Sequence, residues 1–216
     1  MLYFPPTKDI DRTNLSLEER MFVMGSLVES LPEEPEFFLK PPSSLIGNNG
    51  MVILPKMSNR VDYEVELAVI MKNKCHNISM DEVSEHVLGY SVIVDITARD
   101  LQTKSRDSGM PWSISKGFDT FAPIGPRIVD KKNIDTSNLD IWLKVNGEYK
   151  QHSNTGDMIF TVVELISFIS KIMTLQPMDI IATGTPEGVG KINNGDIIEA
   201  GIDGIGILKF SAKKEI

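Results

Sequence analysis

The first regular pattern along the chain has a period of two. In "RVDYEVELAVI", residues 60–70, Val61, Tyr63, Val65, Leu67 and Val69 alternate with other residues, which predicts a β-strand. Its other face carries Asp62, Glu64 and Glu66, then turns apolar at Ala68 and Ile70. The strand therefore runs from a charged mouth into a core that covers both faces. "YSVIVDITARDLQ", residues 90–102, is rich in β-branched residues and predicts a second buried strand with Asp95 inside it. "LDIWLKVNGEYKQHS" predicts a hairpin turning at Asn146-Gly147, residue types that accept the positive φ of a tight turn. Short strands and glycine turns are expected from Asp179 onward, and one short strand near Phe37–Leu39 within the proline-punctuated stretch 30–47.

Helical spacing is rarer. "TVVELISFISKIMTL", residues 161–175, repeats its apolar positions at three and four, with Thr161 and Glu164 as a capping box and Pro177 as its limit. "SMDEVSEHVLG" predicts a short helix capped by Ser79 with Gly89 as its stop, and "LSLEERMFVMG" opens on a capping box of Ser16 and Glu19. Strands outnumber helices and do not alternate with them as βαβ units. The expected class is α+β, mostly β, with one main helix.

Composition narrows the function. A chain of 216 residues, 41% hydrophobic, can bury one sizeable core. A net charge of −8 argues against nucleic-acid and anionic-membrane partners, so an anionic substrate must meet locally supplied positive charge. Cys75 is the single cysteine, which excludes an intrachain disulfide. No stretch is apolar enough to span a bilayer, and "MLYFPPTKDIDR" is no secretory signal; a cytoplasmic location is expected.

Asp95 lies within "SVIVDIT", where a carboxylate is costly to bury unless it is paired or metal-bound. Glu64, Glu66 and Asp95, on two neighbouring strands, can share one cation, and an all-oxygen set favours Mg²⁺, Mn²⁺ or Ca²⁺ over zinc. The same spacing also suits a solvated strand face beside a hydrogen-bonded structural aspartate. Arg99, Gln102 and Lys116 follow: arginine grips carboxylates and lysine neutralises an oxyanion, although each taken alone also reads as surface charge. "IIATGTPEGVG", residues 180–190, is not a Walker A loop, since Thr185 stands where that loop needs glycine. It is either a turn that presents backbone N–H groups and Thr185, or a structural turn. Cys75-His76 lacks a second ligand pair, and His86 and His152 are expected at the surface.

Taken together, "FFLKPPSSLIG", "DYEVELAVI", "GYSVIVDITARDLQ", "SKGFDTFAPIGP", "VNGEYKQ", "NTGDMIF" and "IIATGTPEGVG" closely resemble the fumarylacetoacetate hydrolase family in its single-domain form. The resemblance implies a β-roll catalytic domain over 35–216 after a variable segment 1–34, and a homodimer. It implies Mg²⁺ or Mn²⁺ on Glu64, Glu66 and Asp95. It also implies a pocket for a small anionic 2-oxo acid lined by Arg99, Gln102, Lys116, Thr120 and Thr185, with Lys40 reaching in from the side. The family's G-x-N-Y-x-x-H-x-x-E segment is not matched: "VMGSLVESLPEEPEFFLKP" keeps Gly25 but has no histidine three residues before Glu29, Glu33 or Glu34. The expected chemistry is therefore isomerisation of the 2-hydroxyhepta-2,4-diene-1,7-dioate type or oxaloacetate-type decarboxylation through a metal-stabilised enolate. The alternatives are acylpyruvate or fumarylacetoacetate-type C–C hydrolysis, and a non-catalytic metal and 2-oxo acid binding protein.

Overall fold

The computed structural model describes residues 33–216; the Ser16–Glu19 capping box and Glu29 lie outside them. The chain forms β1 (Leu45–Ile46), β2 (Met51–Leu54), β3 (Val61–Tyr63) and β4 (Val65–Met71), then a 3₁₀ turn (Met80–Glu82) leading into α1 (Val83–His86). Next come β5 (Val87–Val94), β6 (Thr97–Ala98), α2 (Arg99–Asp107), α3 (Ser113–Lys116) and β7 (Ala122–Asp130). The rest is β8 (Asp140–Val145), β9 (Glu148–Asn154), α4 (Val162–Ile172), β10 (Ile180–Ala182), β11 (Gly190–Lys191), β12 (Ile197–Ile202) and β13 (Gly206–Lys214). The architecture is mostly β, as the alternating patterns require.

Two five-stranded sheets, ordered β1-β7-β5-β4-β10 and β2-β13-β12-β8-β9, and a three-stranded sheet, β11-β3-β6, make up the body. Val65, Leu67 and Val69 of β4, Val92 and Val94 of β5, Leu143 of β8, Ile198 of β12 and Phe210 of β13 share one buried cluster. Each side chain of this size contributes about 1.5–3 kcal/mol on burial. β4 is buried on both faces, because Ala68 and Ile70 pack into a second cluster with Ile93 and Ala122. α4 adds Val162, Leu165, Ile166 and Ile169 to the large core. It begins with the expected box: Glu164 N–H donates to Thr161 Oγ1, and Thr161 N–H donates to Glu164 Oε2. The hairpin turns at Asn146 (φ 51°) and Gly147 (φ 85°), as their residue types predict.

The departures from the expected elements position the site. The strand expected over 60–70 breaks at Glu64, since β3 pairs with β6 and β11 whereas β4 pairs with β5 and β10. The strand expected over 90–102 breaks at Asp95, with β5 in the first sheet and β6 in the small one. β10 and β11 divide in the same way on either side of Thr183–Thr185. Three stretches of chain thus pass between the same two sheets. After β6 the chain turns into α2, where Arg99, Leu101, Gln102, Lys104 and Arg106 are good helix formers, with Asp100 in the first turn and Lys104 and Arg106 in the last. Arg99 and Gln102 are therefore neighbours by helical spacing rather than strand residues. Gly89 does not stop α1. It lies in β5, where a Cβ would stand 2.1 Å from the Val129 carbonyl oxygen. Phe37–Leu39 forms no strand, being bracketed by prolines that donate no ladder hydrogen bond. Among the described residues, no helix is long and apolar enough to cross a membrane.

Candidate active site

Glu64 and Asp95 occupy the two strand breaks, and the Asp95 N–H donates to the Glu64 carbonyl at 2.8 Å, which pins one break to the other. The carboxylates of Glu64, Glu66 and Asp95 converge so that one oxygen of each lies within 4.8 Å of the others. All three residues are buried. At the third crossing the Gly184 N–H donates to Glu66 Oε2 at 2.6 Å, so the Thr-Gly-Thr turn rests directly on the carboxylate cluster.

Cations surround this cluster. Lys116, at the end of α3 and fully buried, donates from Nζ to Glu64 Oε2 (2.9 Å), Thr97 Oγ1 (2.6 Å) and Asp95 Oδ2. The Phe38 ring covers this ammonium, its centroid 4.6 Å from Nζ, and packs in turn against Trp112. Lys40 Nζ donates to Asp95 Oδ1 (2.8 Å), the Lys116 carbonyl (2.6 Å) and the Ile96 carbonyl (3.2 Å). Arg99 donates from Nε to Asp62 Oδ2 (2.9 Å), from Nη1 to Gln102 Oε1 and from Nη2 to Glu64 Oε1. Asp62, itself fully buried, also accepts from Arg60 Nε at 3.0 Å.

The carboxylates do not share this positive charge evenly. Burial would raise Asp95, but the Lys116 and Lys40 ammonium groups hold it down to about 2. Glu66 is pushed up to about 8, by burial first and then by the neighbouring Asp95 and Glu64 charges, against the weaker pull of Lys116 and the Gly184 N–H. Burial lowers Lys116, yet Asp95 and Glu64 outweigh it and leave the ammonium above the ordinary lysine range. Burial dominates at Lys40 and takes it below that range despite Asp95. A cluster of three carboxylates in which one is so undercompensated suits a divalent cation, which would lie against oxygen ligands only. The residues present fit such an ion.

The structure thus gathers Glu64, Glu66, Asp95, Lys116, Arg99 and Lys40 into one network, with Gln102 joined through Arg99. Each Lys40 proton meets a protein acceptor, so Lys40 braces Asp95 and α3. Thr185 is buried beside the cluster and bonded to Gln151 Nε2 at 2.8 Å. Thr120 stands apart from the triad's bonds: its Oγ1 accepts the Ile53 N–H at 2.9 Å and so tethers β2. Glu33 and Glu34 are exposed, and no histidine joins the carboxylate cluster among the described residues. His152 stacks on Tyr149 at the surface, His86 pairs with Asn73, and His76 is exposed. Sequence reasoning did not single out Asp62, Thr97, Phe38 or Gln151 as site residues. Asp62 carried a signal, its place on the Glu64 face among buried residues; the other three carried none outside the family resemblance.

The sequence model described as "Fumarylacetoacetate (FAA) hydrolase C-terminal" matches residues 13–211. The chain is 39% identical over 216 aligned residues to the mitochondrial oxaloacetate tautomerase of Arabidopsis thaliana, covering 93% of this chain and 97% of the relative. It is 42% identical to the mitochondrial oxaloacetate decarboxylase of Dictyostelium discoideum, covering 83% of each. Among solved structures, it resembles the 2-hydroxyhepta-2,4-diene-1,7-dioate isomerase from Mycobacterium marinum (TM-score 0.80, 38% identity, 85% of this chain and 71% of that one). The fumarylpyruvate hydrolase from Pseudomonas aeruginosa, solved with Mn²⁺ and pyruvate, is similar to the same degree (TM-score 0.80, 35% identity, 85% and 81%). The convergent carboxylates, the Thr-Gly-Thr turn and these matches lead to one conclusion: the chain belongs to the fumarylacetoacetate hydrolase family.

Proposed function

We propose that the protein is a divalent-metal-dependent enzyme acting on a small 2-oxo or 2-enol dicarboxylate, as an oxaloacetate-type tautomerase or decarboxylase or a dienedioate-type isomerase. The observation that carries this reading is the buried carboxylate triad with a fully buried ammonium bonded to two of its members. Glu64, Glu66 and Asp95 would hold the ion, Mg²⁺ or Mn²⁺ (Ca²⁺ is also compatible with the ligands). When bound, it supplies positive charge that draws electrons from the 2-oxo group and acidifies the neighbouring C–H.

The chain's own residues do the rest. Lys116 is kept protonated by Asp95 and Glu64; a cation on those carboxylates would release one of its protons to face negative charge developing on the 2-oxygen. Gln102 spends its oxygen on Arg99, which leaves its Nε2 to donate to a substrate carboxylate. Phe38 shields Lys116 from water. Tautomerisation and decarboxylation share an enolate and need no water nucleophile. C–C hydrolysis needs a base to activate water, and no histidine joins the cluster among the described residues. The oxaloacetate relatives support the first pair of reactions, and the hydrolase neighbour is the reason to test the other.

Initial rates on oxaloacetate, the dienedioate and acetylpyruvate, with saturating Mg²⁺ or Mn²⁺, test this reading. Acetylpyruvate cleavage should be slower by about 10² or more. Fastest turnover on acetylpyruvate would overturn the reading. So would unchanged Mn²⁺ stoichiometry in Asp95→Ala, measured by calorimetry.

A further inference from the structure

We infer that Gln151 is a positioning residue that holds the Thr185 hydroxyl as a hydrogen-bond donor for an acceptor oxygen of the substrate; the inference rests on the reading under Proposed function. Gln151 lies on β9, in a different sheet from the carboxylates, and is only 1% exposed. Its oxygen accepts the N–H of Val65, the residue between Glu64 and Glu66, at 3.0 Å. A backbone N–H can only donate, so this bond fixes which end of the amide is oxygen. Nε2 then donates its two protons to the near acceptors, Thr185 Oγ1 at 2.8 Å and the Pro186 carbonyl at 2.9 Å, with the Glu187 carbonyl farther off at 3.4 Å. A carbonyl can only accept, which confirms the orientation from the other end. Thr185 Oγ1 therefore receives a proton from Gln151 and keeps its own to give. Among the described residues, nothing accepts that proton.

The backbone is built around this contact. On β9 a bulge sets Leu143 opposite Gln151 and Lys144 opposite Tyr149, leaving Lys150 as the extra residue. Within β9 only Gln151 is buried; its neighbours Lys150 and His152 are exposed. The bulge carbonyl also receives the turn that follows Thr185. A Cβ on Gly188 would fall 2.1 Å from the Lys150 oxygen, and Gly188 has φ +89°, so only glycine lets the turn dock there. Gln151 thus ties Val65, between two of the carboxylates, to the Thr-Gly-Thr turn that makes the third crossing. It also sets the sense of the one hydroxyl in that turn bonded to it. A carboxylate or oxo oxygen satisfies this hydroxyl, and a donor group does not.

The test is oxalate binding by calorimetry in saturating Mn²⁺, with wild type, Gln151→Met, Thr185→Val and the double variant. Loss of a hydrogen bond to a charged acceptor predicts roughly ten-fold or more weaker oxalate binding in each single variant. Because Gln151 acts through Thr185, the double variant should bind no more weakly than the weaker single, and Thr185→Ser should stay near wild type. Wild-type affinity in Gln151→Met, or losses that multiply in the double variant, overturns the inference. If Gln151→Met does not fold, Thr185→Val decides: undiminished oxalate affinity shows that the hydroxyl does not donate to the acid. A wild type that binds Mn²⁺ but no oxalate defeats the proposed function and this inference with it, whereas equal oxalate binding by wild type and Gln151→Met defeats the inference alone.

Discussion

Lys116 is the cation on which two carboxylates depend, and Lys116→Met isolates that dependence. Methionine fills much of the same volume but takes the ammonium away from Glu64, Asp95 and Thr97. Removing one partner of a buried ion pair typically costs about 3–5 kcal/mol. Two carboxylates lose the same partner here, but Asp95 keeps Lys40 and Glu64 keeps Arg99, so the cost belongs within that range rather than at twice it. Against a typical total of roughly 5–15 kcal/mol, the variant still folds. A divalent cation at about a hundred times its Kd contributes about 2.7 kcal/mol to a form that binds it. It should favour the variant more, because the ammonium that competes for Glu64 and Asp95 has gone. Urea unfolding of both proteins, in chelator and again in excess Mn²⁺, gives four stabilities. The expected gap in chelator is about 3–5 kcal/mol, narrowing by on the order of 1 kcal/mol or more in Mn²⁺, while oxaloacetate turnover is lost in both conditions. A gap that stays constant or widens in Mn²⁺ refutes the idea that ammonium and metal serve the same carboxylates.

Three further outcomes are expected. Burial pushes the Asp100 carboxyl up, but Ser58, Asn59 and Leu101 donate to it and hold it below its ordinary 3.8. Its stabilisation is therefore present above that value and lost as pH falls through the lowered one, so Asp100→Asn should be less stable than wild type at neutral pH and match it in strong acid, as read by thermal melts across pH. Gly201→Ala places a Cβ 2.3 Å from Trp142 Cζ2 and should destabilise by about 1–3 kcal/mol; an unchanged denaturation midpoint would show that the indole yields freely. We also propose that the protein is a homodimer, which would cover exposed apolar residues such as Leu39; multi-angle light scattering at micromolar concentration should give twice the chain mass, and a stable monomer would contradict it.

Local signals read correctly from the sequence were those whose cause is local. The Asn146-Gly147 turn and the Thr161–Glu164 box depend on backbone conformations and hydrogen bonds within a few residues, so residue type alone reveals them. The breaks at Glu64 and Asp95 are different. A strand-like apolar pattern continues across both, because burial is the same on either side; what changes is the partner strand, and no single strand records its partners. The missed helix α2 has a related origin. The β-branched run through Thr97 carried the strand expectation onward, although Arg99–Asp107 has no β-branched residue other than Thr103.

At the site, residue type was legible and role was less so. Carboxylates within apolar runs announce an energetic problem that the fold must solve, which is why Glu64, Glu66 and Asp95 stood out. Lys40 and Gln151 show the limit. Lysine in "FLKP" suggests a reach toward substrate, yet its protons are met by Asp95 and two carbonyls, a fact set by β5, α3 and the strand breaks together. Gln151 sits in a run of polar residues on an edge strand, the usual composition of a solvated hairpin. Only the bulge at Lys150 turns its amide inward, and only the sheet crossing leaves the Val65 N–H for it to accept. The same crossing that brings the three carboxylates together also frees backbone groups of its own. A side-chain amide from the neighbouring sheet closes that gap, so the cost of building the corner and the means of orienting Thr185 are one feature of the fold.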